Sequence, residues 1–136
     1  MKKILFVFAL FLLPLIAEAG SYRLLATEMA YKIKSDGEWE EWSDWQECSI
    51  KVIVDLDDDF IKIFTEDVIT IEVRKWKDTD DDGKGGKIIP AYCVDNDGDE
   101  LDMRFRVAKD DTFQLYLDYD SFKVVYNLEM MDSTDQ

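Results

Sequence analysis

Three groups of residues in this chain have the types and spacing that chemistry requires: Asp78, Asp80 and Asp82; Trp39, Trp42 and Trp45; and the two cysteines, Cys48 and Cys93. Asp78-x-Asp80-x-Asp82-Gly83 is the first half of a calcium loop, where alternate carboxylates converge on a hard cation and glycine permits the sharp bend. The twelfth position, which should supply a bidentate Glu, is Ile89, and the flanking residues read as strands. An EF-hand is therefore excluded. Two readings stay open: a weak calcium site of Asp78, Asp80 and Asp82, joined by Asp95, Asp97 or Asp99, or an acidic hairpin loop solvated by water. No other cofactor is implied.

The tryptophans recur at every third position. They form either an exposed aromatic platform for a ligand or partner, or a plug of indoles that closes one end of the fold, since each indole buries a large apolar area. The absences are as informative. The chain has no histidine, so Ser-His-Asp and Cys-His catalysis and histidine-ligated zinc are excluded. It has no phosphate-cradling glycine loop. Only carboxylate-pair hydrolysis remains open to an enzyme, and with 31 acidic residues the presence of a pair distinguishes nothing. The expectation is that the chain is not an enzyme.

Elements must position these groups, and the N-terminus is not one of them. Lys2 and Lys3 precede an uncharged apolar run, Ile4 to Ile16, followed by Ala17-Glu18-Ala19. A basic start, a short apolar core and small residues at the cleavage position define a secretory signal peptide over 1–19. Thirteen apolar residues fall short of the roughly 20 that span a bilayer, so no transmembrane anchor is expected after cleavage. The remaining domain, 20–136, is expected to be exported to the periplasm or the extracellular space. The formal net charge is −15, and removal of two Lys with one Glu makes the mature chain more acidic by one. Such a charge repels nucleic acid and anionic lipid surfaces and suits cationic partners.

Along 20–136 the dominant pattern is period-2 alternation broken by acidic or glycine turns. Leu25, Thr27, Met29, Tyr31 and Ile33 are expected to share the inner face of a first strand, and Cys48, Ile50, Val52, Val54 and Leu56 that of a second. Strands follow at 60–65, 68–76 and 87–95. Asp95-Asn96-Asp97-Gly98 reads as a tight turn. The last three strands carry Leu101, Met103, Phe105 and Val107, then Phe113, Leu115 and Leu117, then Phe122, Val124, Tyr126 and Leu128. Eight short strands with short connections predict an all-β antiparallel meander closing as a small barrel, with a two-sheet sandwich as the alternative. In that meander Cys48 and Cys93 fall at the same end. A disulfide between them and two separate buried thiols are both compatible with the sequence.

Trp42-Ser43-x-Trp45-x-x-Cys48 resembles the opening of a thrombospondin type 1 repeat, but Ser49 to Val52 supply neither the next cysteine nor the arginine strand of that family. Two cysteines cannot make its three disulfides, so membership is excluded. Gly37-Glu38-Trp39 resembles the Gly-x-Trp signature of lipocalins, which implies an eight-stranded barrel holding a small apolar ligand. The whole pattern, from signal peptide and Trp-x-x-Cys entry to the late Tyr-rich strand pair, is similar to small secreted bacterial β-barrel proteins of unassigned function. The functional expectation is an exported binding or interaction module of open specificity, its ligand either a small apolar or amphipathic molecule in the barrel or a partner on the Trp-rich end. The alternative is a structural or inhibitory envelope protein using its surface loops and the Trp segment.

Overall fold

Alternating apolar and polar residues produce strands throughout residues 20–131, the part of the chain described by a computed structural model. The expected signal peptide and the polar residues after 131 lie outside the described residues. The strands are β1 (Ser21–Ser35), β2 (Glu38–Trp39), β3 (Gln46–Asp55), β4 (Phe60–Ile63), β5 (Ile69–Trp76), β6 (Asp80–Asp81), β7 (Lys87–Asp95), β8 (Glu100–Val107), β9 (Phe113–Asp118) and β10 (Phe122–Met130). Neighbours pair antiparallel in the order β10-β9-β8-β7-β5-β4-β3-β1, and β1 returns to β10, which closes eight strands into a barrel. The expected meander is the fold. β2 continues the hairpin from β1, and β6 adds to β7.

The interior is one contiguous apolar cluster. Leu24, Val52, Ile61, Ile71, Ile89, Phe105 and Leu115 are each at most 1% exposed, and Phe105 stacks on Phe113 with centroids 5.6 Å apart. The expected inner faces hold for every strand but the first. There, one residue more on β1 than on β10 is accommodated between Ala26 and Glu28. This bulge reverses the parity of the strand, because side chains alternate with period 2. Leu24 and Ala26 therefore point inward before it and Met29 after it, while Leu25 and Thr27 leave the inner face.

On the outer wall a chain of side-chain hydrogen bonds crosses four strands. Arg106 Nη1 donates to Gln114 Oε1 (3.0 Å), Gln114 Nε2 to Asn127 Oδ1 (2.9 Å) and Asn127 Nδ2 to Glu28 Oε1 (3.2 Å). It spans β8, β9, β10 and β1, and so crosses the seam at which the barrel closes.

The connections sort to two ends. Segments 36–45, 64–68, 96–99 and 119–121 lie at one end; turn 56–59, loop 77–86 and turn 108–112 lie at the other. Gly20 and Met131 are also at that second end, where Gly20 O accepts from Leu56 N and Met131 N donates to Arg23 O. Phe105 is the largest fully buried side chain, so Phe105→Ala should destabilise the fold by about 3–5 kcal/mol, read as a lowered urea midpoint with unchanged slope.

Candidate functional site

The tryptophan segment starts from a tight hairpin. Ser35 pairs with Glu38, and both intervening residues, Asp36 and Gly37, have positive φ (52° and 81°), as a two-residue type I′ turn demands. The chain then runs back along β1, with Glu40 N donating to Ile33 O and Ser43 N to Tyr31 O. Trp39 and Gln46 are seven residues apart, whereas their partners on β1, Lys34 and Met29, are five apart. β2 and β3 are thus one strand interrupted by a bulge of two extra residues. The bulge throws Trp42 onto the outer wall, where it meets Tyr116 edge-on at 6.2 Å and Lys32 Nζ at 4.8 Å. Ala30 and Val125, a cross-strand pair on the outward side, are each only 3% exposed, consistent with cover from this segment. Trp39 takes Lys34 and Lys123 on its ring at 5.5 and 4.7 Å. Trp45 is the most open of the three, 46% exposed. The segment therefore lies along the wall and does not plug the barrel.

Beyond the start of β3, β1 and β10 continue as a two-stranded wall. The register pairs Met29 with Tyr126, Tyr31 with Val124 and Ile33 with Phe122. Val124 and Tyr126 belong to the core, so Tyr31, Ile33 and Phe122 extend the inner face past the packed interior. They are 43%, 46% and 41% exposed. Phe64 and Val68, in the β4–β5 connection of the same end, are exposed as well. With the three tryptophans they complete the exposed large apolar side chains among the described residues, all at one end of the barrel. The opposite end's tryptophan, Trp76, is only partly exposed and donates Nε1 to Asp59 Oδ1 (3.0 Å).

Two tethers hold the mouth in shape. Asn96 Oδ1 accepts from Thr70 N (2.9 Å), tying turn 96–99 to the start of β5. Tyr119 OH donates to Asp95 Oδ2 (2.9 Å) and the Tyr119 ring stacks on Phe122 at 4.5 Å. Burial, and then this hydrogen bond, push the Tyr119 phenol well above its usual range.

The acidic motifs separate on folding. Asp78, Asp80 and Asp82 do not converge. Asp80 enters β6 opposite Ile88, while Asp82 turns onto the wall, where its carboxylate accepts from Lys84 N (2.7 Å), Gly86 N (2.8 Å) and Arg106 Nε (3.0 Å). A Cβ on Gly86 would come within 2.5 Å of both Asp82 Oδ2 and Val107 O, so glycine is required for this seat. The acids that do gather are Asp95, Asp97 and Asp99, with carboxylate oxygens within 4.8 Å. One member is already engaged: Asp95 Oδ1 accepts from Asp97 N and Asp99 N, both at 2.9 Å. These bonds build the turn.

Of the two readings left open for Cys48 and Cys93, a disulfide or separate thiols, the structure has the second: both thiols are free. The cysteines do share one end, but β3 and β7 are three strand-to-strand steps apart. At about 4.8 Å per step this exceeds the roughly 7 Å between Cα atoms that a disulfide spans. Cys48 Sγ lies 3.4 Å from Ala26 O. Cys93 is fully buried, and burial pushes its thiol up to about 12. A depression of about 260 Å³ on the outer wall is lined by Asp82, Lys84, Ile88, Arg104, Arg106 and Tyr116. Arg106 there is paired with Asp82 at 3.0 Å and Arg104 lies over Tyr116 at 4.2 Å, so its arginines are engaged within the fold.

Sequence reasoning anticipated the three tryptophans but not Tyr31, Ile33 and Phe122 as surface residues. The Asp36-Gly37 hairpin signal was available and would have placed the Trp segment beside β1.

Thiol reagent should therefore leave Cys93 unmodified in the native protein at pH 8, and two thiols should titrate after unfolding without reductant. Finding none would restore the bridge. Backbone donors from Gly86 and Lys84, followed by Arg106, lower the Asp82 pKa. Its stabilisation is present above the unfolded value of about 3.9 and is lost as pH falls through the lower folded value. Asp82→Asn should lower the melting temperature at pH 7 and leave that at pH 2 nearly unchanged.

No family model, curated protein or solved structure matches the chain, and its function has to be argued from the geometry of the site.

Proposed function

We propose that this chain is an exported binding module that engages a macromolecular partner through the open, aromatic end of its barrel. The observation that carries this reading is the segregation of every exposed large apolar side chain among the described residues to that end. Isolated apolar side chains on a surface need no explanation, but Tyr31, Ile33 and Phe122 adjoin on one face of the β1–β10 wall, a grouping of the kind that marks an interaction site. Trp39 and Trp42 line the outer face of the same wall. The group is also rigidly presented. Tyr31, Ile33 and Phe122 sit on paired strands, and the mouth is tied by Asn96 and Tyr119, so little conformational entropy is lost on binding.

Two observations favour this surface over a small apolar ligand inside the barrel. The inward positions form one contiguous apolar cluster, and an eight-stranded barrel is just wide enough for its own side chains to fill. Trp45 is the expected anchor, because an exposed indole is among the commonest residues to dominate binding energy. Trp39 and Trp42, held by lysines and Tyr116, shape its surroundings.

A photo-crosslinking residue at position 45 or 64, in the chain expressed in its producing cell, should yield the same discrete adduct. The same residue at position 58 or 111, at the opposite end, should yield none. Equal capture from both ends, or none from either, would contradict the reading.

A further inference from the structure

Resting on that reading, the distribution of charge identifies the chemistry of the partner. Segments 35–50, 64–68 and 95–100 form most of the aromatic end. Segment 35–50 holds six acidic residues, 64–68 two and 95–100 four, and none of them contains a lysine or arginine. The opposite end is mixed: Lys77, Lys84 and Lys109 lie in its loops. Three of the lysines near the aromatic end, Lys32, Lys34 and Lys123, occupy the outward-facing parity of β1 and β10 and sit over Trp42 and Trp39. These three flank the wall, and Lys51 lies over Phe64 at 5.8 Å, so four lysines stand beside an end whose connections carry more carboxylates than that.

An exposed apolar surface beside connections that carry an excess of carboxylates is costly for the free protein. Like charges concentrated at one end repel, and the apolar surface holds water that it cannot hydrogen-bond. Both costs are relieved by one kind of occupant. We propose that the aromatic end binds a cationic amphipathic polypeptide segment, whose apolar side chains cover Tyr31, Ile33 and Phe122 while its lysines or arginines meet the acidic rim. The other occupants fit less well. An anionic membrane or nucleic acid meets like charge. A second copy brings a further strongly negative chain.

The test uses the mature chain with a synthetic 18-residue helix-forming peptide of leucine and lysine, and its counterpart with glutamate for lysine. Three of the four tryptophans lie at the proposed site, so intrinsic fluorescence reports on it. The lysine peptide should shift the emission and bind at least roughly tenfold more tightly than the glutamate peptide, a difference of about 1.4 kcal/mol. Binding should weaken at least tenfold in Ile33→Ser/Phe122→Ser, and likewise in Trp45→Ser, with circular dichroism unchanged in each. Affinity should also fall as salt screens the rim.

Equal affinity for both peptides would overturn the cationic partner while leaving the apolar surface as the interface. Lysine-peptide binding that none of the substitutions weakens would reduce the effect to general attraction by an acidic protein and would overturn both readings. An emission shift produced by calcium alone and reversed by chelation, with no peptide preference, would reassign the carboxylates to a metal. Concentration-dependent self-association in sedimentation, abolished by Phe122→Ser, would make the occupant a second copy.

Discussion

The pairing of β1 with β10 is the constraint on which the rest of this structure depends. β1 is 15 residues long, far longer than its neighbours need, and it pairs with β10 on one side and with β3 on the other. Without the β10 pairing the sheet would have two open edges, each offering unpaired backbone groups to other chains. With it, the barrel has no edge over most of its height. The surplus length of β1 carries the inner face beyond the mouth, and the same closure that protects the backbone exposes Tyr31 and Ile33. The bulge at Thr27 makes the two functions compatible. It lets Leu24 and Ala26 fill the lower interior and Met29, Tyr31 and Ile33 continue that face above, which an uninterrupted strand of this sequence could not do.

Charge is arranged around this frame by local chemistry. In an acidic chain most carboxylates face water, and the structure uses the remainder to build turns. Asp55, Asp95 and Asp110 each accept backbone N–H groups from residues two to four positions on. Asp82 does the same for loop 77–86 and also meets Arg106, connecting that loop to the polar chain that crosses the β1–β10 seam. These turn-forming carboxylates are why calcium-like spacing in the sequence is a poor guide to a metal in this chain. Short runs of Asp and Gly satisfy the donors of a tight turn by the same geometry that would otherwise gather ligands.

Much of the architecture was legible in the sequence, because a half-buried strand writes its burial with period 2. Val52 and Val54, Leu101 through Val107, and Val124 through Leu128 read directly as inner faces. What was not legible follows from pairing between distant strands. No local property of Thr27 announces a bulge; the extra residue is forced by the register with β10, more than 90 residues away in sequence. The bulge that sends Trp42 to the outer wall is likewise a property of two strands. Cys48 and Cys93 are a different case: the expected meander already put them three strands apart, so their separation around the wall was legible and ruled against a bridge. Of the candidate site, the tryptophans were visible by type. The surface role of Tyr31, Ile33 and Phe122 was not, because inward-facing residues are exposed only where the neighbouring strand has ended.

The central claim is that the aromatic end of the barrel is the functional surface. Oxidative footprinting of the protein, isolated without denaturation from its own compartment and compared with the same chain refolded alone, tests it most directly. The account predicts slowed oxidation of Trp45, Tyr31 and Phe122 in the native isolate, with Trp76 at the opposite end oxidised equally in both. Protection centred on Trp76, or identical footprints in the two preparations, would contradict it.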